Sequence, residues 1–194
     1  RGAQAPGQAV QNFALHLTPV RFIIFTVSAH DNCERIKYMK VAVFSDTHSN
    51  NELMLEAVHR CRPDAAIHLG DHDRDAVELR HEFPGLPVYS VCGNCDLMPL
   101  APEKDVVQLG PVKAFITHGH LYNVNYGRVD SLVYAAQEAG AQLAMFGHTH
   151  QAYYEQIGGV QVLNPGTAGR GRELTWALIE IFDNGAFACE IRKL

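Results

Sequence analysis

No excess of basic residues marks this 194-residue chain: 16 Lys and Arg stand against 21 Asp and Glu, a formal net charge of −5. The basic footprint by which proteins hold nucleic acid or anionic lipid is therefore missing. A disulfide framework is missing too. The five cysteines, Cys33, Cys61, Cys92, Cys95 and Cys189, are odd in number and irregularly placed, which points to a reducing, cytoplasmic setting. They form no cluster that would build a structural zinc site. Cys92-Gly-Asn-Cys95 matches C-x-x-C, but no helix signal follows it, and Pro99 and Pro102 come soon after, so it reads as a loop rather than a redox pair. No run approaches the ~20 apolar residues that span a bilayer. There is no internal repeat and no low-complexity tract.

What is present begins in earnest at Met39. Residues 1–38 carry Gly, Pro and Gln without a clear period, and we read them as a non-native or over-called N-terminal extension to a single domain at 39–194. The apolar stretch at 20–29 could serve as a signal-peptide core, but is at least as well read as an added edge strand or arm. From residue 40 the pattern alternates. Strands are expected at 40–45, 65–70 and 87–93, and helices at 51–61, with Asn50 or Asn51 as N-cap, and 75–83. A hairpin is expected across 106–119, a helix at 129–140 and a strand at 142–148. Two further hairpins are expected, at 152–166 turning at Gly158-Gly159 and at 174–193 turning at Asn184-Gly185, the second as a type I′ turn. The class is mixed α/β, parallel early and antiparallel late.

Five polar clusters stand at the ends of these strands: "FSDTHSN" (44–50), "LGDHDRD" (69–75), "VCGNCDL" (91–97), "ITHGHL" (116–121) and "FGHTHQ" (146–151). The chain has 11 histidines, and His48, His72, His118, His120, His148 and His150 fall within these stretches. Open α/β sheets bind ligands at the carboxyl ends of their strands, so five such loops converge on one place. The donors there are carboxylate, imidazole and amide oxygen. That set suits Mn, Fe, Zn or Ni. Asp46, His48, Asp71, Asn94, His118, His148 and His150 number enough for two ions if one carboxylate bridges, and two ions ~3.5–4 Å apart can clamp an in-line displacement at phosphorus. A single His at a strand end is ordinarily a cap, and His59, His68 and His81 are given no role. Five clusters in order, each behind a strand and four with Gly, are not explained that way.

These motifs, Asp46-Thr47-His48, Gly70-Asp71, Gly93-Asn94-Cys95-Asp96, His118-Gly119-His120 and Gly147-His148-Thr149-His150, resemble the signature of the calcineurin-like metallophosphoesterases. The closest likeness is to their small single-domain bacterial and archaeal phosphodiesterase branch. The resemblance runs from Met39 to the end. It implies a two-sheet β-sandwich flanked by helices, a four-layer αββα fold. It also implies a first metal on Asp46, His48 and His150, a second on Asn94, His118 and His148, and Asp71 as the bridge. The implied reaction is hydrolysis of a small phosphate ester by a hydroxide held between two divalent ions, Mn first, with Ni, Zn, Fe or Mg as alternatives. Asn94, Cys95, Asp96 and His120 are the implied catalytic groups, with Asp96 more naturally an orienting carboxylate. A homodimer is compatible with the resemblance, and a membrane or nucleic-acid partner is not expected.

Cys95 departs from the broader superfamily, where a His at this position can protonate the leaving group. A thiol of ordinary pKa ~8.5 is a poor donor to an alkoxide. Diesters with good leaving groups are therefore expected to be preferred. The competing expectation is a protein-binding scaffold like the retromer subunit that shares this fold, in which metal ligands are dispensable.

Overall fold

The computed structural model describes residues 38–125 and 128–194. Expectations for residues 1–37 lie outside the described residues. Tyr38 is the first residue of strand β1.

The chain runs β1 (Tyr38–Phe44), α1 (Glu52–Cys61), β2 (Ala65–His68), α2 (Arg74–Glu82), β3 (Val88–Ser90), β4 (Lys104–Leu109) and β5 (Val112–Thr117). A 3-10 turn at His120–Tyr122 precedes α3 (Asp130–Glu138), β6 (Leu143–Met145), β7 (Tyr153–Ile157), β8 (Val160–Asn164), β9 (Thr175–Phe182) and β10 (Phe187–Lys193). Two five-stranded sheets result, ordered β10-β9-β1-β2-β3 and β4-β5-β6-β8-β7.

Side chains alternate across each strand, and here both faces are covered. Val41 and Val43 of β1 point into the layer between the sheets, with Ile67 of β2, Ile116 of β5, Met145 of β6, Leu163 of β8 and Ile179 of β9. Ala42 and Phe44 point the other way, against Met54, Ala57 and Val58 of α1 and Leu79 of α2. On the far side of the second sheet, Phe115, Ala144 and Val162 pack under Leu132, Val133 and Ala136 of α3. The layers are therefore α/β/β/α, as the resemblance implies. Among the described residues no helix is long and apolar enough to cross a membrane.

Three local expectations change. The late half is not simply antiparallel: β5, β6 and β8 run parallel, because α3 carries the chain back across the sheet between β5 and β6. At the last hairpin, Gly185 has positive φ and Asn184 does not. Asn184 instead accepts the Ala186 N–H on its side chain, and Gly185 N–H returns to Phe182 O. The loop is a longer one with Gly in the left-handed position, not a type I′ turn. Gly158 and Gly159, both at positive φ, do form the two-residue turn. Asn51 holds the N-cap position of α1 but makes no capping bond; its amide donates instead to Asp75 at the start of α2.

The intersheet layer carries much of the stability. Ile116→Ala, at a fully buried site, is expected to cost about 2–5 kcal/mol, read as a lower urea midpoint with an unchanged slope.

Candidate metal centre

All five clusters follow strands that run parallel within their sheets, so their loops gather along one edge. Asp46 lies two residues past β1, Asp71 three past β2 and Asn94 four past β3. His118 directly follows β5, and His148 lies three residues past β6. The loops are pressed together backbone against backbone. A Cβ on Gly70 would sit 2.7 Å from Gly93 N, and one on Gly93 would sit 2.1 Å from Asp71 Oδ1. Glycine is required there because nothing larger fits.

Asp46 is wholly buried. Its Oδ2 accepts the His148 N–H at 3.0 Å. Its Oδ1 makes no hydrogen bond, although His150 Nε2 lies 3.1 Å away and His118 Nε2 4.0 Å away. Asp71, also buried, faces two ways. Its Oδ1 accepts the Cys95 N–H at 3.0 Å and lies 3.3 Å from His118 Nε2. Its Oδ2 lies 3.8 Å from His48 Nε2. Asp46, His48, Asp71 and His150 each offer a donor atom within 4.8 Å of the others.

The tautomer of His118 decides what this arrangement can hold. Its Nδ1 is 2.7 Å from the Leu69 carbonyl, so Nδ1 carries the hydrogen and Nε2 presents a lone pair to the site. That lone pair is buried, has no partner and faces carboxylate oxygens of both Asp46 and Asp71. Acceptors turned toward acceptors in a buried site are satisfied by a cation between them. A divalent metal fits these residues. His148 lies beside His118, ring centroids 5.2 Å apart.

The electrostatics agree. Burial alone would raise the Asp46 carboxyl, but contacts with His150, His118 and Ser45 outweigh it and the pKa falls below the ordinary value. Burial, reinforced by His118, lowers the pKa of His148 and of His120. Neutral imidazoles with free lone pairs are what a metal binds. His150 moves the other way, held up by its contact with the Asp46 carboxylate.

The remaining expected residues divide. Asn94 is exposed, its amide nitrogen 3.5 Å from Cys95 Sγ. The Cys95 thiol is also exposed, and partial desolvation with the Asp71 carboxylate beside it pushes its pKa up to about 11. Asp96 is fully engaged in backbone bonds, accepting the N–H groups of His72, Asp73 and Gly93, so it joins the loops after β2 and β3. His120 stands 5.5 Å from His118, ring to ring, with Nδ1 buried and unpartnered.

Several supporting residues escaped the sequence reading. The loop after β8 embraces the first ligand turn: Thr167 Oγ1 donates to Asp46 O, and the Ala168 N–H donates to Ser45 O. A Cβ on Gly169 would overlap Thr47 O at 1.7 Å. Asn164 Nδ2 donates to Gly147 O and its Oδ1 accepts from Gly166. The Asn164-Pro165-Gly166 run was a visible signal, since polar and turn residues there exceed what a hairpin end needs. Asp73 accepts N–H groups of Leu100 and Ala101. His68 sits under Thr47.

His68 supplies a pH test. Gly70 N–H donates to its Nδ1, so Nε2 carries the hydrogen and donates to Thr47 Oγ1 at 2.9 Å. Complete burial lowers its pKa from 6.5 to about 4. The unfolded chain therefore takes up a proton near pH 6.5 that the folded imidazole refuses until about pH 4. This stability is fully present above pH 6.5 and is lost as pH falls toward 4. Urea midpoints measured across that window should fall, and His68→Gln should reduce the linked uptake by about one proton.

Five expected ligands, Asp46, His48, Asp71, His148 and His150, have positive φ, between 48° and 68°. Such backbone is uncommon outside Gly, though Asp and His tolerate it better than most, and it concentrates at functional sites.

Comparison with known proteins agrees with this geometry. Residues 39–184 match the family model of the calcineurin-like phosphoesterase superfamily domain. A probable metallophosphoesterase of Bacillus subtilis is 34% identical over 132 residues, covering 66% of this chain and 75% of that protein. A phosphodiesterase of Methanocaldococcus jannaschii is 28% identical over 145 residues, covering 66% and 83%. The crystal structure of a predicted phosphoesterase from Streptococcus pneumoniae superposes with a TM-score of 0.64 at 28% identity, covering 81% of this chain and 99% of that one. Zinc-complexed Vps29 from Entamoeba histolytica superposes with a TM-score of 0.63 over 80% and 99%, but at 21% identity that likeness is one of fold. With its strand-end carboxylates and imidazoles, its four layers and its family match together, the chain belongs to the calcineurin-like phosphoesterase superfamily.

Proposed function

We propose that the protein is a dinuclear metal-dependent phosphodiesterase. The observation that carries this reading is the pair of buried carboxylates whose oxygens face the lone pair of His118 and the imidazoles of His48 and His150. Asp46, His48 and His150 would hold one ion, Asn94, His118 and His148 the other. Asp71 would join them, because its two oxygens face different histidines. The mixed oxygen and imidazole donor set favours Mn, with Ni, Zn, Fe and Mg as alternatives. Two bound ions supply an acidified water and a positive field over the phosphoryl oxygens.

The chain's own residues do the rest. Leu69 O orients His118 through Nδ1. His148 N–H fixes the Asp46 carboxylate. Asp96 holds the Gly93–Asp96 loop so that Asn94 and Cys95 stand at the rim. Cys95, a protonated thiol with a pKa of about 11, is a weak proton donor, and His120 stands beside His118 and His148. Diesters with leaving groups that need no proton are the substrates this edge suits best. The four cysteines among the described residues are free, in keeping with a cytoplasmic setting. A scaffold role is the competing reading, and the complete donor set argues against it.

Metal analysis combined with aryl phosphate hydrolysis tests the proposal. Chelation should abolish activity, and added Mn should restore it. Asp71→Asn should lose metal stoichiometry and at least ~10²-fold in kcat/KM, because both ions lose a ligand. A variant with native metal content and rate would remove the bridge.

Cys95→His tests the leaving-group argument. The native protein should hydrolyse an aryl diester faster than the matching monoester. The variant should gain most on poor leaving groups, general-acid catalysis being worth roughly 10²–10⁴-fold where it operates. An unmoved diester-to-monoester ratio in kcat/KM contradicts the role given to position 95.

A further inference from the structure

A cavity of about 510 Å³ opens beside His148, and nothing so far assigns it a role. Its floor is apolar, formed by Val124, Val129 and Phe146, each nearly or fully buried, with the half-buried ring of Tyr153 as a side wall. Phe146 and Tyr153 meet edge to face at 6.3 Å. Two exposed amides, Asn125 and Gln151, stand at the mouth. The cavity touches the metal centre on two sides. His148 is in its wall, and Val124 packs under the His118–His120 turn, where a Cβ on Gly119 would meet Val124 Cγ2 at 2.9 Å. A groove of about 590 Å³ between the C-terminal ends of α1 and α2 is larger. It lies at the amino ends of β2 and β3, the edge opposite the ligands, and takes no part.

The lining selects a chemical class. Among the described residues it holds no Asp, Glu, Lys or Arg. A charged group placed there would lose water and find no counter-charge. An apolar, partly aromatic floor suits a flat ring. Amides offer both donors and acceptors, so the ring they recognise carries both on its edge. The volume lies within the usual range for one small organic group, and the net charge of −5 disfavours a nucleic-acid polymer.

We propose that this cavity is the subsite for the nucleoside part of a small nucleotide phosphodiester, whose phosphorus lies over the metal cluster. The assignment rests on the phosphodiesterase reading above and narrows its substrate. Phe146 and Tyr153 provide the surface on which the base lies, and Asn125 and Gln151 pair with its edge.

Two probes with the same leaving group isolate this subsite: p-nitrophenyl thymidine 5′-phosphate and p-nitrophenyl methyl phosphate. Base–aromatic stacking strengthens binding, so kcat/KM should favour the thymidine ester by about tenfold or more. Gln151→Ala and Ala152→Trp, the second of which fills the mouth, should each bring the ratio toward one. Thymidine alone, which has no phosphate to hydrolyse, should shift the side-chain amide NMR signals of Asn125 and Gln151 in the Mg²⁺-loaded protein. Equal rates for the two esters with unmoved amide signals overturn the subsite and leave the hydrolytic reading standing. Amide shifts with neither ester hydrolysed overturn the hydrolytic reading and leave the subsite standing.

Discussion

Two carboxylates taken out of water at the seam between two sheets set the terms for everything around them. An isolated buried carboxylate is strongly disfavoured unless charge or hydrogen bonds compensate it. Asp46 and Asp71 receive one backbone N–H each, from His148 and Cys95, and that leaves oxygens facing imidazoles. Each of these backbone bonds crosses from one loop to another, so the bonds that stabilise the charges also lock the loops together. The site is held from outside as well. The loop after β8 grips the carbonyls of Ser45 and Asp46, and Asp96 ties the β2 loop to the β3 loop. The fold's four layers supply the rigid edge, and the carboxylates determine which loop conformations that edge can carry.

How much of this was visible in the amino-acid order depends on whether the information is local. Strand alternation such as Val41/Ala42/Val43/Phe44 and helical spacing such as Met54/Ala57/Val58 reflect a single element against its neighbours, and both were legible. So were the ligand clusters, because each sits directly behind its strand. The parallel run β5–β6–β8 was not legible, since strand direction depends on where α3 returns the chain. The Asn184-Gly185 turn was misjudged because an Asn side chain can satisfy the backbone without entering the left-handed region. His68 shows the same limit more sharply. Its type and position suggested a strand residue without a role, yet it supports Thr47 between two ligands across 21 positions of sequence. Thr167 is invisible in the same sense, because its partner Asp46 is over a hundred positions away; the Asn164-Pro165-Gly166 run shows a turn but not the Gly147 carbonyl that Asn164 holds.

The division of labour between the two sheets also bears on chemistry. The first sheet brings both buried carboxylates, and the second brings His118, His148 and His150. In the proposed assignment each ion would draw ligands from both sheets. The intersheet packing of Val43, Ile67, Ile116 and Met145 thus acts on the distance between carboxylates and imidazoles. Loss of packing there would loosen the site before it unfolded the chain, because a metal site tolerates little error in ligand position.

The left-handed backbone at five of the expected ligand positions has a further meaning for descent. Conformations of this kind cost of order 1–3 kcal/mol each when a side chain is present. A lineage that used these side chains to bind metal would have to tolerate that cost at every one of these turns. A lineage released from metal binding would relieve that strain where Gly replaces a histidine at these turns, whereas Asp46 and Asp71 would still be needed to accept the His148 and Cys95 N–H groups. The imidazoles could then disappear while the carboxylates keep the loop edge in place, and surfaces elsewhere on the sandwich become free to take up new work.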